Sequence, residues 1–249
     1  MKKTLLTLAV ALALPAVPSV ALAQLAFNVG VVSDYRYRGI SQSRLKPAVQ
    51  GGVDWSHSSG FYLGAWGSTI KWIEDANPGS SNKVEIDLYG GYKGEITQGL
   101  AFDVGLLTYQ YPGHKAELIG APSPNTTEVY GALTFGPATL KYSHSTTNLF
   151  GFPDSKNSGY LDLSATFDLG SGLTLVPHVG RQRVAKNPDF TYTDYSLTLN
   201  YEAMKGLVVS ATAVGTSQEK IFGTPAYTSP ANGKNLGKNG VVVGAKYSF

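Results

Sequence analysis

The sequence predicts an all-β fold, a transmembrane antiparallel β-barrel of the outer-membrane type with about twelve strands. Three observations carry that expectation. From Leu25 onward apolar residues recur with a period of two, in segments separated by turn residues. The connections between segments are alternately short and long. The final segment is an unbroken alternation that ends on an aromatic residue.

The segments run Leu25 to Tyr37, Ala48 to His57, Gly60 to Ile70, Lys83 to Gly94, Leu100 to Tyr111, Thr126 to Phe135, Ala138 to Thr147, Ser158 to Leu169, Gly172 to Val184, Phe190 to Tyr201, Leu207 to Thr216 and Gly240 to Phe249. In the fourth, Val84, Ile86, Leu88 and Tyr92 share one face and Glu85, Asp87, Tyr89 and Lys93 the other. In the eighth, Leu161, Leu163, Phe167 and Leu169 oppose Tyr160, Asp162, Ser164 and Asp168. Alternation alone fits a soluble sandwich with apolar faces inward as well as a barrel with apolar faces outward. Connection length separates the two. His57 to Gly60, Glu95 to Gly99, Gly136-Pro137, Gly170 to Gly172 and Glu202 to Gly206 are tight, whereas the intervening connections are mostly longer and Ser217 to Asn239 is longest. Tight periplasmic turns and long extracellular loops produce this asymmetry in a membrane barrel.

Met1-Lys2-Lys3, the apolar run Leu5 to Leu14 and Ala21-Leu22-Ala23 before Gln24 read as a cleaved secretory signal peptide over residues 1–23, leaving one barrel domain over residues 24–249. In the last segment Val241, Val243, Ala245, Tyr247 and Phe249 share a face. This is similar to the C-terminal strand of bacterial outer-membrane barrels, so Tyr247 and Phe249 are expected to serve as the assembly signal. The resulting location is the bacterial outer membrane. The expected partners are its lipids and lipopolysaccharide, and the barrel-assembly machinery during insertion.

Composition narrows the function. Lys and Arg number 20 against 17 for Asp and Glu, two of the cations being Lys2 and Lys3 of the leader, which excludes a nucleic-acid binder built on clustered positive charge. The absence of cysteine excludes disulfide frameworks, thiolate metal sites, cysteine nucleophiles and a lipoprotein anchor. Against only 15% charged residues, 29 Gly and 15 Tyr are unusual.

Ser33-Asp34-Tyr35-Arg36-Tyr37-Arg38-Gly39-Ile40-Ser41-Gln42-Ser43, Pro47-Ala48, Gln50-Gly51-Gly52, Gly60 to Ser68 and Glu85 to Tyr92 resemble the start of the TorF-type family of proteobacterial porins, outer-membrane proteins of undetermined function. The resemblance is specific over roughly Ser33 to Tyr92 and rests on strand pattern beyond. It implies a barrel and suggests a pore, without a substrate or catalytic site.

With apolar faces toward lipid, the lumen receives Asp34, Asp54, Glu85, Asp87, Glu95, Asp103, Glu128, Asp162, Asp168 and Asp194 against Arg36, Arg38, Lys83, Lys93, Lys141 and Lys246. The expected pore lining is Asp34, Arg36, Arg38, Glu85, Asp87, Lys93, Asp103, Glu128, Lys141, Asp162 and Asp194. The excess of carboxylates implies a narrow hydrated channel for small hydrophilic solutes with a mild cation preference. The alternative is a closed barrel, occluded by Arg–carboxylate pairs, that acts as a structural or surface-interaction protein through its loops. Asp34, Arg36 and Arg38, spaced by two on the first strand, are expected along one lumen stripe, as a selectivity constriction or as a paired structural cluster. Trp66, Tyr62, Tyr89, Tyr109 and Tyr111 also point inward by parity, as a stacking surface or as part of interfacial girdles.

Catalysis has little to draw on. Ser143-His144-Ser145, with Thr146 and Asn148, faintly resembles outer-membrane phospholipases, but where that family has its Ser, two residues after the His, this chain has Thr146. A lipid hydrolase is the remote alternative, and no enzyme is expected. His57, His114 and His178 lack ligand spacing, so neither a metal site nor a cofactor is indicated.

Overall fold

The computed structural model describes residues 24–77 and 79–249, and the leader expected over residues 1–23 lies outside them. Twelve strands form a closed antiparallel meander. They are β1 (Gln24–Val32), β2 (Ala48–Ser56), β3 (Phe61–Thr69), β4 (Val84–Thr97), β5 (Leu100–Gln110), β6 (Thr126–Phe135), β7 (Ala138–Ser145), β8 (Gly159–Ala165, continuing past Thr166 as Phe167–Gly170), β9 (Leu173–Arg183), β10 (Tyr192–Met204), β11 (Leu207–Thr216) and β12 (Gly240–Ser248). β12 returns to β1 with Val29 opposite Tyr247 and Val31 opposite Ala245, so the described sheet has no free edge.

Burial decides between sandwich and barrel. On β4, Val84, Ile86 and Leu88 are 41%, 39% and 47% exposed, while Glu85 and Asp87 are only 2% and 9% exposed. The polar face is the inner one, the reverse of a soluble sandwich, and the other strands repeat the pattern. Outward-facing aromatic rings gather at the short-turn end: Phe61 lies against Tyr92 at 4.9 Å, Tyr92 against Phe102 at 5.8 Å, and Phe27 against Phe249 at 5.8 Å. Such a belt is the interfacial girdle of a membrane barrel.

Part of the glycine and tyrosine surplus has a shared structural cause. Tyr89 lies over Gly64, Tyr62 over Gly91 and Tyr130 over Gly105, each opposite the other on neighbouring strands, and Tyr160 lies diagonally over Gly180. A ring laid flat along the wall needs a neighbour without a Cβ, so each of these four tyrosines lies over a glycine. At Gly91 an added Cβ would meet the Tyr62 hydroxyl and the Val104 carbonyl. Gly91→Ala should therefore cost about 1–3 kcal/mol, read as a lower temperature for loss of the heat-modifiable folded band on a gel. An unchanged temperature would show that the ring has room to move.

The expected first segment ran to Tyr37, but β1 ends at Val32. Arg36–Tyr37 instead pairs with Ile40–Ser41 as a small hairpin whose turn is Arg38-Gly39. Both turn residues have positive φ, 46° and 78°, the geometry of a two-residue hairpin turn that glycine supplies without strain. Asp34, Arg36 and Arg38 therefore form no strand stripe. Tyr111 likewise lies just past β5, packed under a short helix, α1 (Trp72–Ala76), with its ring 5.1 Å from Trp72. The main apolar cluster is Tyr35, Ile70, Ile73, Tyr109 and Tyr111 with Trp66 and Trp72 against it, and it seats the first two long loops on the barrel rim.

Candidate functional site

The interior has two unlike walls. β4 to β9 carry large charged and aromatic side chains inward, and most are buried: Glu85, Tyr109, Glu128, Tyr130, Tyr160 and Gln182. β10 to β12 and β1 carry smaller ones, Ser196, Thr198, Ser210, Thr212, Gly244 and Gly30, all half-buried, interspersed with Asn28, Asn200, Val208, Val242 and Lys246. Thr198 and Thr212 share a hydrogen bond of 2.9 Å along that second wall.

Arg38, at the tip of the small hairpin, reaches into the first wall. It donates to Glu128 at 3.0 Å and 2.7 Å in a bidentate pair and to Gln182 Oε1 at 2.7 Å. Its guanidinium carbon lies 4.2 Å from the Tyr160 ring centroid and 4.8 Å from that of Tyr37. Pairing, two-sided fork geometry and ring stacking are all properties of Arg rather than Lys. Tyr109 also donates to Glu128, at 3.2 Å, and its hydroxyl is bonded to that of Tyr37. The first long loop is thereby anchored inside the barrel.

A second network continues around the wall. His178 Nε2 lies 2.7 Å from Asp162 and its Nδ1 3.6 Å from Asp194, while Tyr160 donates to Asp194 at 3.0 Å. Its strand places His178 beside two inward carboxylates contributed by β8 and β10, a pairing that histidine spacing alone does not reveal. Parity on β9, which sets His178 on the face of Thr174 and Gln182, was the available signal. Toward the short-turn end, Tyr62 donates to Asp103 at 2.5 Å and shares a bond with Tyr130, and Tyr89 donates to Asp54. Lys93 and Lys141 sit over the rings of Tyr62 and Tyr130 at 5.4 Å and 3.8 Å, favourable cation–π positions. Trp66 also faces inward, with Tyr35 edge-on at 5.4 Å.

The long loops interlock over the mouth. Arg36 pairs with Asp34 at 2.5 Å and donates to the carbonyls of Leu236 and Lys238 at 2.9 Å and 3.2 Å, joining the first loop to the last. Leu236 completes an apolar cluster with Ile40 and Tyr192. Arg44 is paired with Asp75 on α1, and Ser229 donates to the same carboxylate at 3.1 Å. Lys71 donates to Glu74 at 2.8 Å and holds that exposed carboxyl below its ordinary range.

Thus Glu85, Asp87, Lys93, Asp103, Glu128, Lys141, Asp162 and Asp194 all face inward from strands, while Asp34, Arg36 and Arg38 enter from a loop. His144 faces outward, its Nε2 3.2 Å from Asn157, and Ser143 and Ser145 are buried on the opposite face of β7. The sheet therefore separates the histidine from both hydroxyls.

Residues 18–249 match the model of the family described as "Bacterial protein of unknown function (Gcw_chp)". The chain belongs to that family. Among solved structures, a "KdgM porin" is similar at 9% identity and a TM-score of 0.55, over 92% of this chain and 99% of that one. The same porin "in complex with disordered oligogalacturonate" gives 9% and 0.56 over the same shares. A "NanC porin" gives 12% and 0.54, over 91% of this chain and 99% of that one. At these identities the likeness is one of fold. No curated protein matches.

Proposed function

We propose that this barrel is an outer-membrane channel for passive diffusion of small hydrophilic solutes, with a mild preference for cations. The observation that carries this reading is the asymmetry of the interior. The wall formed by Ser196, Thr198, Ser210, Thr212, Gly244 and Gly30 is small and half-buried, whereas β4 to β9 carry large side chains that are mostly buried. Small side chains along one wall leave room that the large ones of β4 to β9 would fill, which supports a passage along that wall. The solved relatives are porins by name, and the TorF-type stretches point the same way. Oligogalacturonate, the ligand of one of them, is a polyanion. Here carboxylates outnumber cationic groups on the inner face, and such an excess concentrates cations instead.

The same reading includes a leader cleaved before Gln24, insertion by the assembly machinery using Tyr247 and Phe249, and lipid and lipopolysaccharide around the apolar belt. The pore lining comprises Asp34, Arg36, Arg38, Glu85, Asp87, Lys93, Asp103, Glu128, Lys141, Asp162 and Asp194. Refolded protein in planar bilayers under a salt gradient should give unit steps and a reversal potential of cation-selective sign. Glu85→Gln with Asp87→Asn should move that potential toward zero, and an unaltered value would remove both residues from the pathway.

One observation favours a second reading. The bridges from Arg36 to the last loop and from Asp75 to Arg44 and Ser229 tie the loops over the mouth, as a closed surface-interaction protein would require. Silent bilayers from protein that shows the folded, heat-modifiable band would select it.

A further inference from the structure

By strand parity, the outward-facing positions of the twelve strands hold only two charged side chains among the described residues, Arg181 and Arg183 at the long-loop end of β9. Both are exposed. A charged group on a lipid-facing wall is costly at the bilayer midplane and tolerated at the interface. β9, Leu173–Arg183, is 11 residues long and rises about 25 Å at a strand tilt of about 40°, the height of the apolar band itself. The outward residues below the arginines, Leu173, Leu175, Pro177 and Val179, are all apolar. Arg181 and Arg183 therefore stand where hydrocarbon gives way to headgroups.

Neither arginine is in an ion pair among the described residues. Arg181 donates to Thr193 Oγ1 at 3.1 Å and Arg183 to the Asn157 carbonyl at 2.5 Å, both neutral acceptors, so most of the N–H groups of each guanidinium stay available. The carboxylates of the adjoining loops, Asp154, Asp189 and Glu219, are matched by Lys156, Lys186 and Lys220, all of them exposed, which leaves the arginines as excess positive charge. The register sets two rows across this part of the outer wall. His144, Gly159 and Arg183 form one, and Tyr142, Leu161, Arg181 and Thr193 the other. The Tyr142 hydroxyl lies over Gly159, where a Cβ would meet it at 2.5 Å, and is 3.4 Å from His144 Nδ1. A hydroxyl is thus held between the histidine and Arg183, beside two guanidinium groups.

We infer that the outer face of β7 to β10 at the long-loop end binds a phosphate group of lipopolysaccharide in the outer leaflet, with Arg181 and Arg183 as its cationic centre and the Tyr142 hydroxyl as a further donor. The inference rests on the outer-membrane placement proposed above and not on conduction. Two residues apart on one face, the arginines are about 7 Å from each other, close enough for both forks to reach one phosphate. Planar guanidinium groups suit that bidentate recognition better than ammonium groups do. Directly below, Leu161, Leu163, Val179 and Leu197 are exposed on the same wall, an apolar surface for the acyl chains of the molecule whose phosphate the arginines hold. A lipid presents both chemistries in this order, charge above and hydrocarbon below, whereas a soluble anion would use the charge alone.

The test is retention of lipid A by the full mature chain refolded in detergent micelles, measured by mass spectrometry after gel filtration, with lipid A carrying its phosphates and, separately, with lipid A stripped of them. The expected half-saturating concentration is about tenfold lower for the phosphorylated form, and rises about tenfold for that form in Arg181→Gln with Arg183→Gln. Lys46→Gln with Lys234→Gln, an equal loss of charge from exposed positions on other long loops, should leave it unchanged. The comparison of the two lipids on the unaltered protein needs no variant and so survives any folding defect. Equal retention of both lipids, a value unmoved by the arginine pair, or an equal rise in the lysine pair would overturn the site. Millimolar inorganic phosphate should not displace the lipid, and full displacement would overturn the lipid assignment in favour of a free anion. The placement is tested on its own, because the chain has no cysteine. Ala231→Cys, on the longest loop, should react with a membrane-impermeant maleimide on intact cells; a thiol that reacts only after purification would sink the outer-leaflet placement, whatever the micelles show.

Discussion

Arg38→Ala is expected to open the mouth of the barrel and to destabilise it in the same step. The guanidinium satisfies both oxygens of Glu128, bonds Gln182 and stacks between Tyr37 and Tyr160. Without it Glu128, 1% exposed, keeps only the Tyr109 hydroxyl. Removing one partner of a buried ion pair leaves an uncompensated charge, at a cost of about 3–5 kcal/mol. The urea midpoint of unfolding should fall accordingly. Unit conductance should rise about twofold or more, because the side chain that ties the hairpin into the lumen is gone. The double variant Arg38→Ala with Glu128→Gln separates the two consequences, since it removes the orphaned charge as well as the tether. Its midpoint should recover most of the loss while conductance stays high. A midpoint and a conductance both unchanged in Arg38→Ala would show that Arg38 neither holds the loop nor narrows the passage.

Deletion of Phe249 should lower the yield of assembled barrel by about tenfold or more while secretion across the inner membrane continues. Phe249 closes the ring of strands: its N–H donates to the Phe27 carbonyl at 3.0 Å, its carbonyl accepts from the Phe27 N–H at 2.9 Å, and its ring stacks on Phe27 and Tyr247, each at 5.8 Å. Two net hydrogen bonds and two aromatic contacts are together worth about 2–4 kcal/mol at the seam where β12 meets β1. Phe249→Tyr keeps both the backbone bonds and the stack and should assemble nearly normally. Comparing heat-modifiable protein in outer-membrane fractions checks this, and an undiminished yield after deletion would remove the residue from assembly.

Much of the fold is legible because a strand's side-chain period is a local property. Val84 to Lys93 sort into two faces without reference to any neighbour, and the alternation of tight and long connections places the tight turns at one end of the barrel and the long loops at the other. The inward set Glu85, Asp87, Lys93, Asp103, Glu128, Lys141, Asp162 and Asp194 follows from the same parity. The end of the first strand is not legible in this way, because Asp34, Arg36 and Arg38 continue the period of two from β1 into the hairpin. Local alternation is identical in both, and only the positive φ at Arg38 and Gly39 turns the chain back into the barrel.

The sequence by itself determined the architecture: a closed antiparallel barrel with a polar interior, since period, turn spacing and the apolar final stripe are each written within a few residues. The tertiary structure alone decided which charges are spent and which are free. Arg38 meets Glu128 across a separation of 90 residues and Gln182 across 144, His178 falls between Asp162 and Asp194, and Asp87 Oδ1 is left without a donor among the described residues. Strand parity sends a side chain inward, but its partner comes from whichever strand or loop faces it across the lumen. That pairing depends on barrel closure and loop entry, which no local pattern contains.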